Sequence, residues 1–199
     1  LGYVFFYNAA YYLENPISIL HVWQGGMSFH GALIGVGLAL FTMAKRHNIA
    51  FLALSDRVAM VTPIGLFLGR LSNFINGELY GRVTDVPWAM IFPHSDGLPR
   101  HPSQLYEAGV EGILLGLAMY LCWRRGWLKA TGRLTGLFLF GYGLARFLVE
   151  LVRQPDAHIG LLAGGLSMGQ ILSLPMMLLG LYLLRHGLRP SRDESRDHE

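Results

Sequence analysis

Long apolar runs, each closed by a small basic cluster, set the pattern of this chain. After a leading stretch, Leu1–Leu13, the run Met27–Ala44 proceeds almost without charge to Lys45-Arg46-His47. Phe51–Phe74 is apolar apart from Asp56-Arg57 near its start and Arg70 near its end. Val110–Trp123 stops at Arg124-Arg125, Leu134–Val149 is interrupted by Arg146, and Ile159–Leu184 ends at Arg185. A helix needs about 20 residues to cross the hydrocarbon core of a bilayer, so these five runs are spans of full or nearly full length. Leu1–Leu13 is too short to span, and it lacks the basic n-region and small-residue cleavage site of a signal peptide. With Leu1 in place of an initiator methionine, it reads as the far half of a span whose beginning is missing. The pattern predicts an all-α fold: a polytopic integral membrane helical bundle with about five full spans plus a truncated N-terminal one. Residues 1–184 form the transmembrane domain, and residues 185–199 read as a basic, disordered tail.

Composition supports this reading. Apolar residues make up 52% of the 199 and charged residues 15%, against roughly a quarter in soluble domains. A net charge of +3 is too small to suggest nucleic acid, and the single cysteine, Cys122, excludes an internal disulfide. The distribution of charge says more than its sum. Lys45, Arg46, Arg124, Arg125, Lys129, Arg133 and the arginines from Arg185 onward all fall on one side under strict alternation. The positive-inside rule makes that side cytoplasmic, with the C-terminus, and places the long segment Ile75–Glu107 outside. Trp23 and Trp88 then lie at the outer interface, Trp123 and Trp127 at the inner one. Small-xxx-small spacings at Gly31/Gly35, Gly65/Gly69 and Gly112/Gly116 suit close helix packing.

Ionisable residues inside spans are costly, about 2.5–3.5 kcal/mol each at mid-helix on insertion scales, and here they are not scattered. Tyr142, Arg146, Glu150 and Arg153 recur as one stripe of a helix. Arg70 and Asn73 share a face of another, and His30 opens a third. All fall in the outer half of the bilayer. Arg146 and Glu150 suit an i, i+4 pair. Arg153 suits a snorkelling arginine. Against two arginines at matching depth, Arg70 and Arg146, the sequence shows one obvious carboxylate, Glu150. The surplus of positive charge calls for an anion, and guanidinium forks favour phosphate.

The segment Gly69-Arg70-Leu71-Ser72-Asn73-Phe74-Ile75-Asn76-Gly77-Glu78-Leu79-Tyr80-Gly81-Arg82 resembles the signature of the prolipoprotein diacylglyceryl transferases. Three further stretches agree in order: His30-Gly31-Ala32-Leu33-Ile34-Gly35, Arg100-His101-Pro102-Ser103-Gln104-Leu105-Tyr106-Glu107, and Arg146-Phe147-Leu148-Val149-Glu150 continuing to Arg153-Gln154-Pro155-Asp156. Ala32 stands where the family commonly has a second glycine. The family has seven spans, more than this chain supplies. The resemblance implies transfer of the diacylglyceryl group of phosphatidylglycerol to the lipobox cysteine of a preprolipoprotein signal peptide. A thioether forms and glycerol phosphate leaves, at the outer face of the bacterial inner membrane.

On that resemblance the nucleophile belongs to the substrate, since Cys122 lies at the inner end of a span. A free thiol is only slightly ionised at neutral pH and needs a base or a positive field. His30 is expected to act as base or to orient the thiol, with Arg70 and Arg146 holding the phosphate and stabilising charge on its leaving oxygen. Substrate binding is assigned to Asn73, Glu78, Gly81, Tyr142, Glu150, Arg153 and His101. Glu150 fixes Arg146 or Arg153, while Asn73 and Glu78 contact the headgroup or brace the loop. Glu78 and Arg82 also suit a surface pair, Gly81 a turn, and His101 a packing or capping role. No cofactor is expected, and His94 and Asp96 have no third ligand at metal-binding spacing. Gly165-Leu166-Ser167-Met168-Gly169 matches G-x-S-x-G, but it opens an apolar helix without the strand of a hydrolase elbow, so packing explains it better. A transporter would place polar residues at several depths, whereas here the inner halves are apolar except for Asp56-Arg57. An assembly factor would leave the arginines unexplained. Nothing in the sequence demands more than a monomer.

Overall fold

The computed structural model describes residues 29–93, 95–154 and 166–187, with side chains from residue 34 onward. The described residues are helical, with isolated β-bridges and no strands. They fall into two compact units, the first ending at Leu54 and the second beginning at Ser55. The first holds α1 (Phe29–Arg46), which ends on Lys45 and Arg46 and suits the negative pole of its dipole. Next in the chain is α2 (Phe51–Ile75), whose buried residues are Ser55, Asp56, Ala59 and Pro63. Beyond it lie α3 (Ser103–Arg124), α4 (Arg133–Val149) and α5 (Met168–His186). Three of these, α2, α3 and α5, are long and apolar enough to cross a membrane. The fold is that of a multi-pass helical membrane protein.

Two boundaries differ from expectation, and both bear on the site. The span expected from Val110 starts seven residues earlier, at Ser103, so Glu107 belongs to a helix and not to the loop. Local polarity concealed this, because Ser103, Gln104, Glu107 and Glu111 are all fully buried. Residues Ala108–Leu114 of α3 form a π-helical stretch, a wider turn often found where function requires a local distortion. The second difference lies after α4, which stops at Val149. Glu150 is its C-cap, and Arg153 is carried on the turns beyond it, its N–H bonded to the Val149 carbonyl at 3.0 Å. Arg153 is therefore not the fourth member of a helical stripe.

The helices of the second unit meet through small residues and a compact apolar cluster. Ala59, Leu115, Met119 and Leu134 form the buried centre, with Phe138 and Tyr142 packed against it. Lipid tails are as apolar as leucine, so close van der Waals contact must hold such helices together. Of the expected glycine pairs, Gly112 and Gly116 serve this purpose. A Cβ at Gly112 would sit 2.6 Å from the Phe67 Cβ and 3.0 Å from its Cα on α2, whereas a Cβ at Gly65 or Gly69 would meet nothing within 4 Å among the described residues. Gly136 and Gly180 provide a second close approach, between α4 and α5. Gly112→Ala should force α2 and α3 apart, at a cost of about 1–3 kcal/mol typical of overpacking. A lowered melting temperature in detergent would show it.

Residues 76–93 and 95–102 fold back over one end of these helices. Gly81 donates to the His101 carbonyl at 2.9 Å, His101 to the Arg82 carbonyl at 3.0 Å, and Arg82 to the Val152 carbonyl at 2.8 Å. Leu79 has a φ of 58°, which costs an L-residue roughly 1–2 kcal/mol. Two buried side chains secure that turn: Ser103 Oγ donates to the Leu79 carbonyl at 3.1 Å and Gln104 Nε2 to the Glu78 carbonyl at 2.6 Å. Farther along, a hydrogen bond from Arg100 holds the Asp96 carboxyl below the usual carboxylate range.

At the opposite end, Asp56 joins α2 to α4. Its Oδ2 accepts the Gly132 N–H at 2.7 Å, and its Oδ1 accepts the N–H and the hydroxyl of Thr135, each at 2.7 Å. The sequence analysis noted Asp56 only as an interruption of an apolar run. It caps the first turn of α4 from another helix, where backbone donors have no intrahelical partner.

Candidate functional site

Arg70 stands near the end of α2, Glu107 and Glu111 near the start of α3, and Arg146 near the end of α4. Antiparallel neighbours thus bring all four to one level. Arg70 donates through Nε and Nη2 to Glu111 Oε2, at 3.3 and 3.1 Å, and its Nη1 lies 3.1 Å from Glu107 Oε2. Arg146 donates to Glu107 Oε1 at 2.6 Å, and its Nη2 lies 2.9 Å from Glu150 Oε2. Arg153 Nη1 reaches the same Glu107 Oε1 at 3.5 Å. Glu107 is the shared partner of all three guanidinium groups.

Burial grades across this cluster. The Glu107 and Glu111 side chains are wholly enclosed, Glu150 is 6% exposed, and Arg70 and Arg146 retain 15% and 17%. The carboxylates form the floor and the guanidinium groups the partly open surface. Each guanidinium carries five N–H donors, so the contacts above leave donors over for a further acceptor. Glu111 Oε1 and Gln104 Oε1 are buried with no hydrogen-bond partner among the described residues.

The expected surplus of positive charge is corrected here. Arg70, Arg146 and Arg153 face Glu107, Glu111 and Glu150, so the formal charges balance. Glu107 and Glu111 come from a helix whose start the apolar pattern misplaced, and Glu111 stands inside the expected span itself. The available signal was their i, i+4 spacing on a segment that also carries buried Gln104.

The other expected residues separate into groups. Tyr142 adjoins the cluster, stacked on Phe138 with centroids 5.8 Å apart. Glu150 and Arg153 join it directly. Gly81 lies beside it as backbone: it bridges to Arg153, and a Cβ there would come within 2.6 Å of the Val152 carbonyl. Arg82 donates from Nε to the Arg153 carbonyl at 2.9 Å, so it braces that turn instead of pairing with Glu78 across a helical surface. Glu78 is exposed and accepts from Asn76 Nδ2 at 3.3 Å. Asn73 is half-buried, its carbonyl accepting the Glu78 N–H at 3.0 Å. His101 lies 3.2 Å from the Tyr106 hydroxyl, which accepts the Trp88 indole N–H at 2.6 Å, an arrangement that joins the loop to the first turn of α3. The side chain of His30 lies outside the described residues.

A multi-pass helical membrane protein in which arginines from α2, from α4 and from the turns after α4 converge on carboxylates buried in α3 is the class these features define. Residues 1–186 match the family model described as prolipoprotein diacylglyceryl transferase. The chain is 55% identical over 189 residues to the phosphatidylglycerol–prolipoprotein diacylglyceryl transferase of Methylocella silvestris, covering 95% of this chain and 70% of that protein. It is 57% identical over 185 residues to the protein of the same name from Polynucleobacter asymbioticus, covering 93% and 70%. With that from Bordetella parapertussis it shares 56% over 191 residues, 96% of this chain and 72% of the relative. The chain belongs to the prolipoprotein diacylglyceryl transferase family and is a membrane transferase.

Proposed function

We propose that this protein transfers the diacylglyceryl group of phosphatidylglycerol to the lipobox cysteine of preprolipoproteins, on the outer side of the bacterial inner membrane. The observation that carries the reading is the meeting of Arg70, Arg146 and Arg153, from separate parts of the chain, over one buried carboxylate inside the spans. A lipid phosphate is the anion available at that depth. Arg70 and Arg146 hold it through donors not used by Glu107, Glu111 and Glu150, and those carboxylates keep the forks charged and aimed in a medium of low dielectric. The substrate thiolate attacks the glyceryl carbon bonded to phosphate oxygen. The S–C bond forms, the C–O bond breaks, and the electron pair leaves on the phosphate of glycerol phosphate. The arginines stabilise that developing charge. His30 is the proposed acceptor of the thiol proton, and Asn73, Glu78, Gly81, Tyr142, Glu150, Arg153 and His101 are the proposed binding and bracing set. Residues 1–184 act as one transmembrane domain, with the basic tail from residue 185 cytoplasmic and no oligomer required.

Lysine keeps the charge of arginine but loses the fork. Arg70→Lys and Arg146→Lys should each lower transfer on the order of 10- to 100-fold. The assay uses labelled phosphatidylglycerol vesicles and a lipobox peptide, with thioether product as readout. Full activity in both variants would exclude the phosphate clamp, and no product from the full-length wild-type protein would exclude the reaction.

A further inference from the structure

We propose that Gly169 is a positioning residue for this transfer: its missing side chain leaves the space in which Glu150 is held against Arg146. The inference rests on the functional reading above and concerns a glycine that reading does not use. Ser167 caps α5, accepting the Gln170 N–H at 3.2 Å while the Gln170 side chain accepts the Ser167 N–H at 3.1 Å. This reciprocal box fixes the first turn and sets Gly169 beside the end of α4. A Cβ at Gly169 would meet Glu150 Oε2 at 2.9 Å, its Cδ at 3.0 Å and its Oε1 at 3.2 Å, so all three nearest atoms belong to one carboxylate. That carboxylate is 6% exposed and pairs with Arg146 at 2.9 Å.

Two consequences follow from where the crowding falls. The obstructing atoms are the tip of a flexible side chain and not backbone, so an alanine is accommodated by moving the carboxylate instead of the helices. Alanine is also the better helix former by about 1 kcal/mol, so the fold has no reason to require glycine at this point. What glycine preserves is the placement of Glu150. That carboxylate also rests at the first turn of α5, where the helix dipole favours negative charge. With Arg146 on one side and the α5 turn on the other, it has little freedom, and the Arg146 fork inherits that restraint.

A double-mutant cycle tests this in the full chain, on phosphatidylglycerol vesicles with a lipobox peptide. Gly169→Ala should lower kcat/KM for phosphatidylglycerol about 10-fold while leaving the melting temperature unchanged. In a Glu150→Gln background, where the ion pair is already lost, the same change should cost nothing further. Equal losses in both backgrounds, or full activity of Gly169→Ala alone, would overturn the proposal. Should Gly169→Ala instead lower the melting temperature, adding Glu150→Asp, which withdraws the carboxylate, should restore it. Failure to restore it would equally count against the proposal. Wild-type turnover in the same assay reports on the functional reading separately. If the wild type were inactive, binding of short-chain phosphatidylglycerol, weakened by Gly169→Ala in the wild-type background but not in the Glu150→Gln background, would still decide whether Gly169 acts through Glu150.

Discussion

Glu107→Gln is expected to abolish most transfer, by on the order of 100- to 1000-fold, and to destabilise the protein by about 3–5 kcal/mol. The substitution keeps size and shape but removes the charge on which Arg70, Arg146 and Arg153 converge. The Glu107 side chain has no solvent exposure, so water cannot replace what is lost. Arg70 would keep Glu111, and Arg146 would keep Glu150. Arg153 would lose its Glu107 partner, and three guanidinium groups would share two carboxylates. Thermal unfolding in detergent and the vesicle assay measure the two effects separately. Glu107→Asp, which restores charge at shorter reach, should recover stability more fully than activity. If Glu107→Gln were as stable and active as the wild type, the carboxylate floor would have no part in holding the clamp.

Asp56→Ala should cost about 3 kcal/mol of stability, through a different mechanism. Its carboxylate is 1% exposed and accepts three hydrogen bonds from Gly132 and Thr135. Removing it orphans donors at the start of α4, and a buried unsatisfied donor typically costs about 1–3 kcal/mol. Partial repair by small shifts keeps the total below a simple sum. Asp56→Asn should be intermediate, since one oxygen remains while the new amide faces a backbone N–H. Because α2 carries Arg70 and α4 carries Arg146, a loosened junction should also slow transfer, but less than loss of Glu107. Melting temperatures of the two variants, in the order Ala below Asn below wild type, would verify the cap.

Much of this site can be read from the chain. Arg70 and Arg146 are conspicuous because a charge within an apolar run has a cost that calls for an explanation, and Tyr142 and Arg146 on α4 lie in line with its C-cap Glu150 as their spacing indicates. Arg153 reaches the cluster by another route, from turns past the helix end, because Glu150 closes α4 and the chain folds back against Gly81. Glu107 was concealed by its setting among Arg100, His101 and Gln104, a polar run that resembles a loop until its burial is seen. Within the G-x-S-x-G match, Ser167 caps α5 and Gly169 lies against the Glu150 carboxylate.

Run length, composition and the placement of basic clusters were sufficient for a multi-pass helical membrane protein with arginines near one end of its spans. These are properties of single segments, set by the cost of placing each residue in lipid. The local pair of Arg146 and Glu150 follows from their i, i+4 spacing, but which carboxylate of another helix meets which arginine depended on tertiary structure. Partners on different helices depend on helix rotation, on the π turn at Ala108–Leu114 and on the close approach at Gly112, none of which a one-dimensional pattern contains. The balance of charge, three arginines over three glutamates, therefore appeared only when α2, α3 and α4 were packed together.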